Sequence, residues 1–176
     1  MLTISIKKVK RIFAGYLIAC CLLLPFTKLS AAELPHELQA VLLSKILIYE
    51  RQLKEKSSLS VFVLDDASMF DAFSRLAQAQ QSGVSFSNVV LGNKIPGKAF
   101  DLIYVNDNKR IKEAIDYANT HGVIIATGKA NFVQKGITLG IGVEKGKPQF
   151  YLNLTTSLTS GLKWEQNILQ VVKTFQ

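Results

Sequence analysis

The stretch Leu59-Ser60-Val61-Phe62-Val63-Leu64-Asp65-Asp66 constrains the fold of this chain more than any other. Six apolar or small residues, rich in β-branched and aromatic side chains, stop at two carboxylates and pass directly into a helical pattern. A run with no polar alternate face reads as a strand covered on both sides, which is the habit of parallel strands in α/β proteins. The stretch is therefore expected to be a buried parallel strand at the centre of an α/β domain. The same grammar of apolar run, Asx or Gly stop and helix returns at Phe100 to Asp107 and at Val123 to Gly128. No catalytic constellation accompanies any of the three.

The segments between these strands carry helical spacing. From Pro35 to Lys56, Leu38, Val41, Leu42, Ile46, Tyr49 and Leu53 recur on one face, with Glu50 and Lys54 as an outward i,i+4 pair, so a first helix packed on the sheet is expected. After Asp66, Ser68 and Asp71 read as a capping pair, and Phe70, Phe73, Leu76 and Ala77 form the buried stripe of a second helix that frays over Gln78 to Ser82 and stops at Gly83. Val84 to Leu91 reads as a short strand. Asn106-Asp107-Asn108 can cap a helix that buries Ile111, Ala114, Ile115 and Ala118 and puts Lys109, Arg110, Lys112, Glu113 and Asp116 in water. Gly122 supplies its left-handed stop, and His121 is explained by the helix dipole as a last-turn residue. His36, alone at the start of the first helix, reads as solvated or capping rather than as a ligand.

The rhythm changes at Ile137. There Ile137, Leu139, Ile141 and Val143, and then Phe150, Leu152 and Leu154, alternate with small or polar residues on either side of Lys145-Gly146-Lys147-Pro148, the pattern of an antiparallel hairpin at one end of the sheet. Leu154 to Ser157 caps a short helical turn ending at Gly161. Leu162, Trp164, Ile168, Leu169, Val172 and Phe175 are spaced as a terminal helix, with Trp164 a core or groove plug. The expected architecture is an α/β single sandwich domain: a central, mainly parallel sheet, flanking helices, a C-terminal antiparallel hairpin and a terminal helix.

Two glycine motifs invite a nucleotide reading, and both fail on physical grounds. Gly92-Asn93-Lys94-Ile95-Pro96-Gly97-Lys98 matches the first seven positions of a phosphate-binding loop. However, Ala99 offers no hydroxyl for Mg²⁺, Pro96 removes a backbone N–H, and the loop enters a strand instead of opening a helix. Gly136, Gly140, Gly142 and Gly146 lie in and after a strand and likewise open no helix, so close backbone packing explains them better than a dinucleotide site.

The N-terminus reads as an export signal. Lys7, Lys8, Lys10 and Arg11 precede the apolar run Ile12 to Phe26, and Ser30 and Ala32 are small residues placed for cleavage before Glu33. The run is too short for an ordinary membrane span. Leu17-Ile18-Ala19-Cys20 also fits a lipoprotein signal, but lipidation at Cys20 would leave the apolar Cys21 to Phe26 at the start of the mature chain, where a polar tether is usual. The expected division is thus a signal peptide over 1–32 and one exported domain over 33–176. Residues 1–32 hold five of the 21 basic residues and none of the 13 acidic ones, so the formal charge of +8 for the whole chain falls to +3 from Glu33 onward. The basic balance is largely a property of the signal and gives no support to nucleic-acid binding. Both cysteines lie in 1–32, so the mature chain of 144 residues uses no disulfide.

Asp65-Asp66 before a helix with Phe70 and Leu76, the strand Phe100-Asp101-Leu102-Ile103-Tyr104-Val105, and Gly136-Ile137-Thr138-Leu139-Gly140-Ile141 through Gly146-Lys147-Pro148-Gln149-Phe150-Tyr151-Leu152-Asn153-Leu154 to Ser160-Gly161-Leu162-Lys163 together resemble the YfiR family of bacterial periplasmic proteins. The resemblance spans about Glu37 to Val172 and is strongest in the last third. It departs where the family's first helix commonly ends in Trp-Pro, since this chain reads Tyr49-Glu50-Arg51-Gln52-Leu53. The resemblance implies a non-enzymatic regulator that binds and represses the periplasmic part of an inner-membrane diguanylate cyclase, so changing cyclic-di-GMP output and biofilm formation.

Three classes of function follow: a periplasmic repressor or sensor, a small-ligand carrier, and an enzyme. The chain offers no metal-ligand spacing, no nucleophile elbow and no mature cysteine, so no catalytic residues, metal or cofactor are expected. The implied partner is the periplasmic domain of an inner-membrane signalling protein such as a diguanylate cyclase, with a homodimer as a further option. If a ligand binds, open α/β sheets take it at the carboxyl ends of their parallel strands. That places candidate binding residues at Asp65, Asp66, Asn106, Asp107, Thr127 and Gly128, although capping explains Asp66 and Asp107 equally well.

Overall fold

The structure, a computed structural model, describes residues 33–79 and 83–176. The signal assigned to 1–32 and the end of the fraying segment at 80–82 lie outside the described residues. In chain order the elements are α1 (His36–Ile46), a 3-10 turn (Leu47–Tyr49), α2 (Arg51–Lys54), β1 (Leu59–Leu64), α3 (Ala67–Gln78), β2 (Phe86–Gly92) and β3 (Leu102–Val105). A 3-10 turn (Asn108–Arg110) then leads into α4 (Ile111–His121), β4 (Ile124–Thr127), α5 (Ala130–Val133), β5 (Leu139–Glu144), β6 (Lys147–Asn153) and α6 (Leu154–Thr159). A last 3-10 turn (Gln166–Gln170) precedes β7 (Val172–Phe175).

The seven strands form one sheet in the order β2-β1-β3-β4-β5-β6-β7. Every neighbouring pair is parallel except β5 and β6, which form the antiparallel hairpin. Period-two side-chain alternation divides the apolar runs between two cores. Leu59, Val61, Val63, Leu102, Tyr104 and Ile124 face α1 and α3 on one side. Phe62, Leu64, Ile103, Val105 and Ile125 face α4 on the other. This is the three-layer solution for strands that are apolar on both faces.

β1 is parallel and buried, but it stands one place in from the β2 edge, and β4 holds the middle of the sheet. An apolar run reports that both faces are covered and carries no information about rank in the sheet. The hairpin is likewise not terminal, because β7 adds beyond β6, with Phe150 beside Val172 and Asn153 beside Phe175.

The expected terminal helix is absent: the segment is a 3-10 turn followed by a strand. Ile168 and Val172 are four apart and both buried, so turn plus strand satisfies the same spacing as a helix. The edge of β6 decides between them, because its free backbone groups pair with Val172–Phe175. The single first helix is also broken. It ends at Ile46, and Glu50 adopts extended dihedrals (φ −89°, ψ 121°) before α2 begins. Ser68 and Asp71 do not cap α3; the Asp66 carboxylate does, accepting from the Met69 N–H at 2.9 Å. Gly83 is not the helix stop either, since α3 closes at Ala79. Gly83 instead takes φ +126° and lies so close to Ser44 that a Cβ would stand 2.8 Å from the Ser44 carbonyl oxygen. Gly122 does end α4, at φ +65° with its N–H on the Ala118 carbonyl at 2.8 Å. His121 stacks on Tyr117 with ring centroids 4.0 Å apart and pairs through Nδ1 with the Tyr117 carbonyl at 2.9 Å.

Candidate functional site

The strand order 2-1-3-4-5 in the parallel part of the sheet has its topological switch point between β1 and β3. Leu64 pairs with Val105 and Tyr104 with Ala126, so the residues just beyond them, Asp65-Asp66, Asn106-Asp107 and Thr127-Gly128, form one row along the carboxyl ends of three adjacent strands. The structure thus brings all six sequence-derived candidates to one edge.

Most of their polar atoms are already engaged. Asp66 caps α3, with His36 Nε2 3.7 Å from its Oδ1. Asp107 accepts from the Lys109 N–H at 3.0 Å and starts the turn into α4. Thr127 donates to Asn106 Oδ1 at 3.1 Å and accepts from the Lys129 N–H at 3.2 Å, while Lys129 Nζ donates to the Asn106 carbonyl at 3.0 Å. Asp65 takes the left-handed conformation (φ +54°), one that aspartate tolerates better than most residues, and its carboxylate lies 3.6 Å from Arg110. Arg110 also donates to the Asn93 carbonyl and to Glu113 at 3.0 Å. One guanidinium therefore ties the ends of β1 and β2 to the start of α4. Sequence reasoning placed Arg110 in water; only its i,i+3 relation to Glu113 was legible, since the other two partners come from distant segments.

Over β3 and β4 the space beyond the strands is taken by the first turn of α1. The Tyr104 hydroxyl donates to Gln39 Oε1 at 2.7 Å, and Gln39 Nε2 donates to the Leu34 carbonyl at 2.7 Å. Gly128 fits beneath this pair because it has no side chain: a Cβ there would stand 2.4 Å from Gln39 Oε1 and 2.7 Å from the Tyr104 oxygen. Burial, reinforced by the charge of Asp66, pushes the Tyr104 hydroxyl far above its ordinary range, so it remains a neutral donor. Among the described residues no group of three or more His, Asp or Glu is placed to hold a metal.

Three open surfaces lie where the α1–α2 connection meets the C-terminal segment. A groove of about 420 Å³ runs between α6 and the last 3-10 turn, with Leu152, Leu154, Leu158, Trp164 and Leu169 on its walls. A wider basin of about 1070 Å³ is bordered by Arg51, Lys54, Glu165 and Gln170. A third, about 340 Å³, lies between Ile46, Ile48, Tyr49, Phe150 and Val171. Around them stand Leu158 (77% exposed), Leu169 (52%) and Val171 (41%). Trp164 is half-buried in a groove wall and donates through Nε1 to Ser157 Oγ at 3.1 Å. Helical spacing groups Leu169 with Ile168 and Val172 and cannot tell an exposed apolar residue from a buried one, so this apolar end is not legible in the sequence.

These features define a three-layer α/β protein whose switch-point edge is largely occupied by its own side chains and whose C-terminal segment is flanked by grooves with exposed apolar residues. The chain belongs to the YfiR/HmsC-like family, whose model matches residues 36–173. That family is one of periplasmic regulators of cyclic-di-GMP signalling, regulatory rather than catalytic. The fold is also similar to the crystal structure of a conserved domain protein from Vibrio cholerae O1 biovar El Tor, with a TM-score of 0.54 at 14% identity. The match covers 84% of this chain and 62% of that one, so this chain spans less than two thirds of that protein's length. No curated protein sequence matches. Among the described residues no helix is long and apolar enough to cross a membrane.

Proposed function

We propose that the chain is exported, cleaved before Glu33, and acts as a one-domain repressor over 33–176 that binds the periplasmic part of an inner-membrane diguanylate cyclase. The observation that carries this reading is family membership across 36–173. The exposed Leu158, Leu169 and Val171 support it, because apolar residues clustered around grooves are what a protein partner buries. Repression works by binding alone: the partner's conformational equilibrium shifts toward the state that prefers this protein. Deleting the gene while a neighbouring membrane cyclase is intact should raise cyclic-di-GMP and surface attachment. Unchanged levels would contradict the repressor.

The second reading is a small-ligand carrier, favoured by the groove of about 420 Å³, which falls within the size range of small-molecule sites. The alternative ligand position is the row Asp65, Asp66, Asn106, Asp107, Thr127 and Gly128, where a polar ligand would have to replace the existing cap and Arg110 contacts. Native mass spectrometry of the mature protein separates the two readings: a retained small molecule favours the carrier, and a bare mass favours the repressor.

A further inference from the structure

Glu50 is 1% exposed, yet no basic side chain lies in ion-pair contact with it among the described residues. Its two carboxylate oxygens accept instead from backbone N–H groups: Oε2 from Leu53 at 2.9 Å within α2, and Oε1 from Lys163 at 2.9 Å, 113 positions away in the chain. The surrounding backbone continues the same junction. Arg51 N–H donates to the Lys163 carbonyl at 3.0 Å, and Glu165 N–H donates to the Tyr49 carbonyl at 2.8 Å. On the outside, Lys54 Nζ reaches Glu165 at 2.8 Å. A buried carboxylate is tolerable only when such donors satisfy it, and charge-assisted bonds of this kind are the stronger class.

What Glu50 holds buries few side chains. The segment from Leu162 to Phe175 contains a 3-10 turn and a four-residue edge strand, and Leu162, Ile168 and Val172 are its buried apolar anchors. The groove, the basin and the third cavity all open along it. An edge element with few buried apolar side chains and cavities on its flanks belongs to the low end of local stability.

We infer that Leu162–Phe175 is a strap that opens from the rest of the domain as a unit, with Glu50 as its clasp. Opening removes Trp164, Ile168 and Leu169 from the groove, bares Leu152 and Leu154, and leaves β6 as a free sheet edge. The strap therefore sets whether the apolar end of the molecule is a closed groove or an open edge. Glu50 acts through the strap and is a positioning residue. The inference rests on geometry and stands independently of which partner or ligand the protein binds.

Native-state hydrogen exchange of the mature protein, in denaturant well below the unfolding midpoint, tests it. In the wild type, amides of Ile168 to Phe175 should exchange about tenfold or more faster than those of Ile103 to Val105 and with a weaker denaturant dependence. Glu50→Ala should raise strap exchange by a further factor of about ten or more, the size expected for losing bonds to a charged group, while Val61 to Leu64 keep their rates. Glu50→Gln retains one carbonyl oxygen for the two amides and should fall between. Strap and core exchanging together in the wild type would overturn the inference, a measurement that holds even if Glu50→Ala fails to fold. Unchanged strap rates in Glu50→Ala, or equal acceleration of strap and core, would also overturn it.

Discussion

Tyr104 joins α1 to the sheet through one polar contact inside an otherwise apolar core. Its hydroxyl donates to Gln39 Oε1, and both side chains are buried. Tyr104→Phe keeps the ring packing on Phe73 but strands a buried amide oxygen, so it should cost about 1–3 kcal/mol in urea unfolding. A loss near zero would mean that Gln39 finds another donor. Asp101 supplies a pH test. Burial raises its carboxyl, but hydrogen bonds from Lys56 and from Ser60 outweigh that and hold it below the ordinary value of 3.8. A folded-state pKa below the unfolded one contributes stability that is full above about pH 4 and disappears as pH falls through the folded value. Wild type should therefore lose stability more steeply than Asp101→Asn as pH drops below about 4. Parallel pH curves for the two proteins would refute the assignment.

Among the elements, β1, β3 and β4 form the most protected block, since each is paired on both sides and buried on both faces. Amides of Val61 to Leu64 and Leu102 to Val105 should be among the slowest to exchange. If the β5–β6 hairpin outlasted them, the stable centre would lie elsewhere. These strands were legible because their signal is local: a continuous apolar run needs no knowledge of what covers it. The hairpin was equally plain, since Ile137 to Val143 and Phe150 to Leu154 alternate and Gly146 sits at the turn at φ +76°. What the sequence hid depends on distant chain. Val172–Phe175 is a strand because β6 offers it an edge, and Glu50, extended before α2, is held by the distant Lys163 N–H as well as by its own cap on Leu53. The candidate ligand row was legible as positions, because strand ends follow from strand runs. The caps at Asp66 and Asp107 were legible too, but occupation by Arg110 and Gln39 was not, because Asn93 and Tyr104 come to these residues only through the fold.

At the scale of the whole molecule the polar contacts of the switch-point end contrast with the grooves along the C-terminal segment, although Leu38 and Leu91 are exposed near the former. The switch-point end is knit together by Arg110, the Asp66 and Asp107 caps, and the Gln39–Tyr104 pair over Gly128. The C-terminal segment is flanked by grooves and the exposed Leu158, Leu169 and Val171. A regulator that works by binding needs the second kind of surface, and replacing two of its apolar residues by carboxylates should abolish docking while sparing the core, because neither residue is buried. The most direct measurement is affinity capture of the mature protein from solubilised inner membranes, run in parallel with the Leu158→Asp/Leu169→Asp variant. A membrane diguanylate cyclase should be recovered with the wild type and lost with the variant, while the variant's unfolding transition stays cooperative. Recovery of no cyclase, or equal recovery with both proteins, would contradict it.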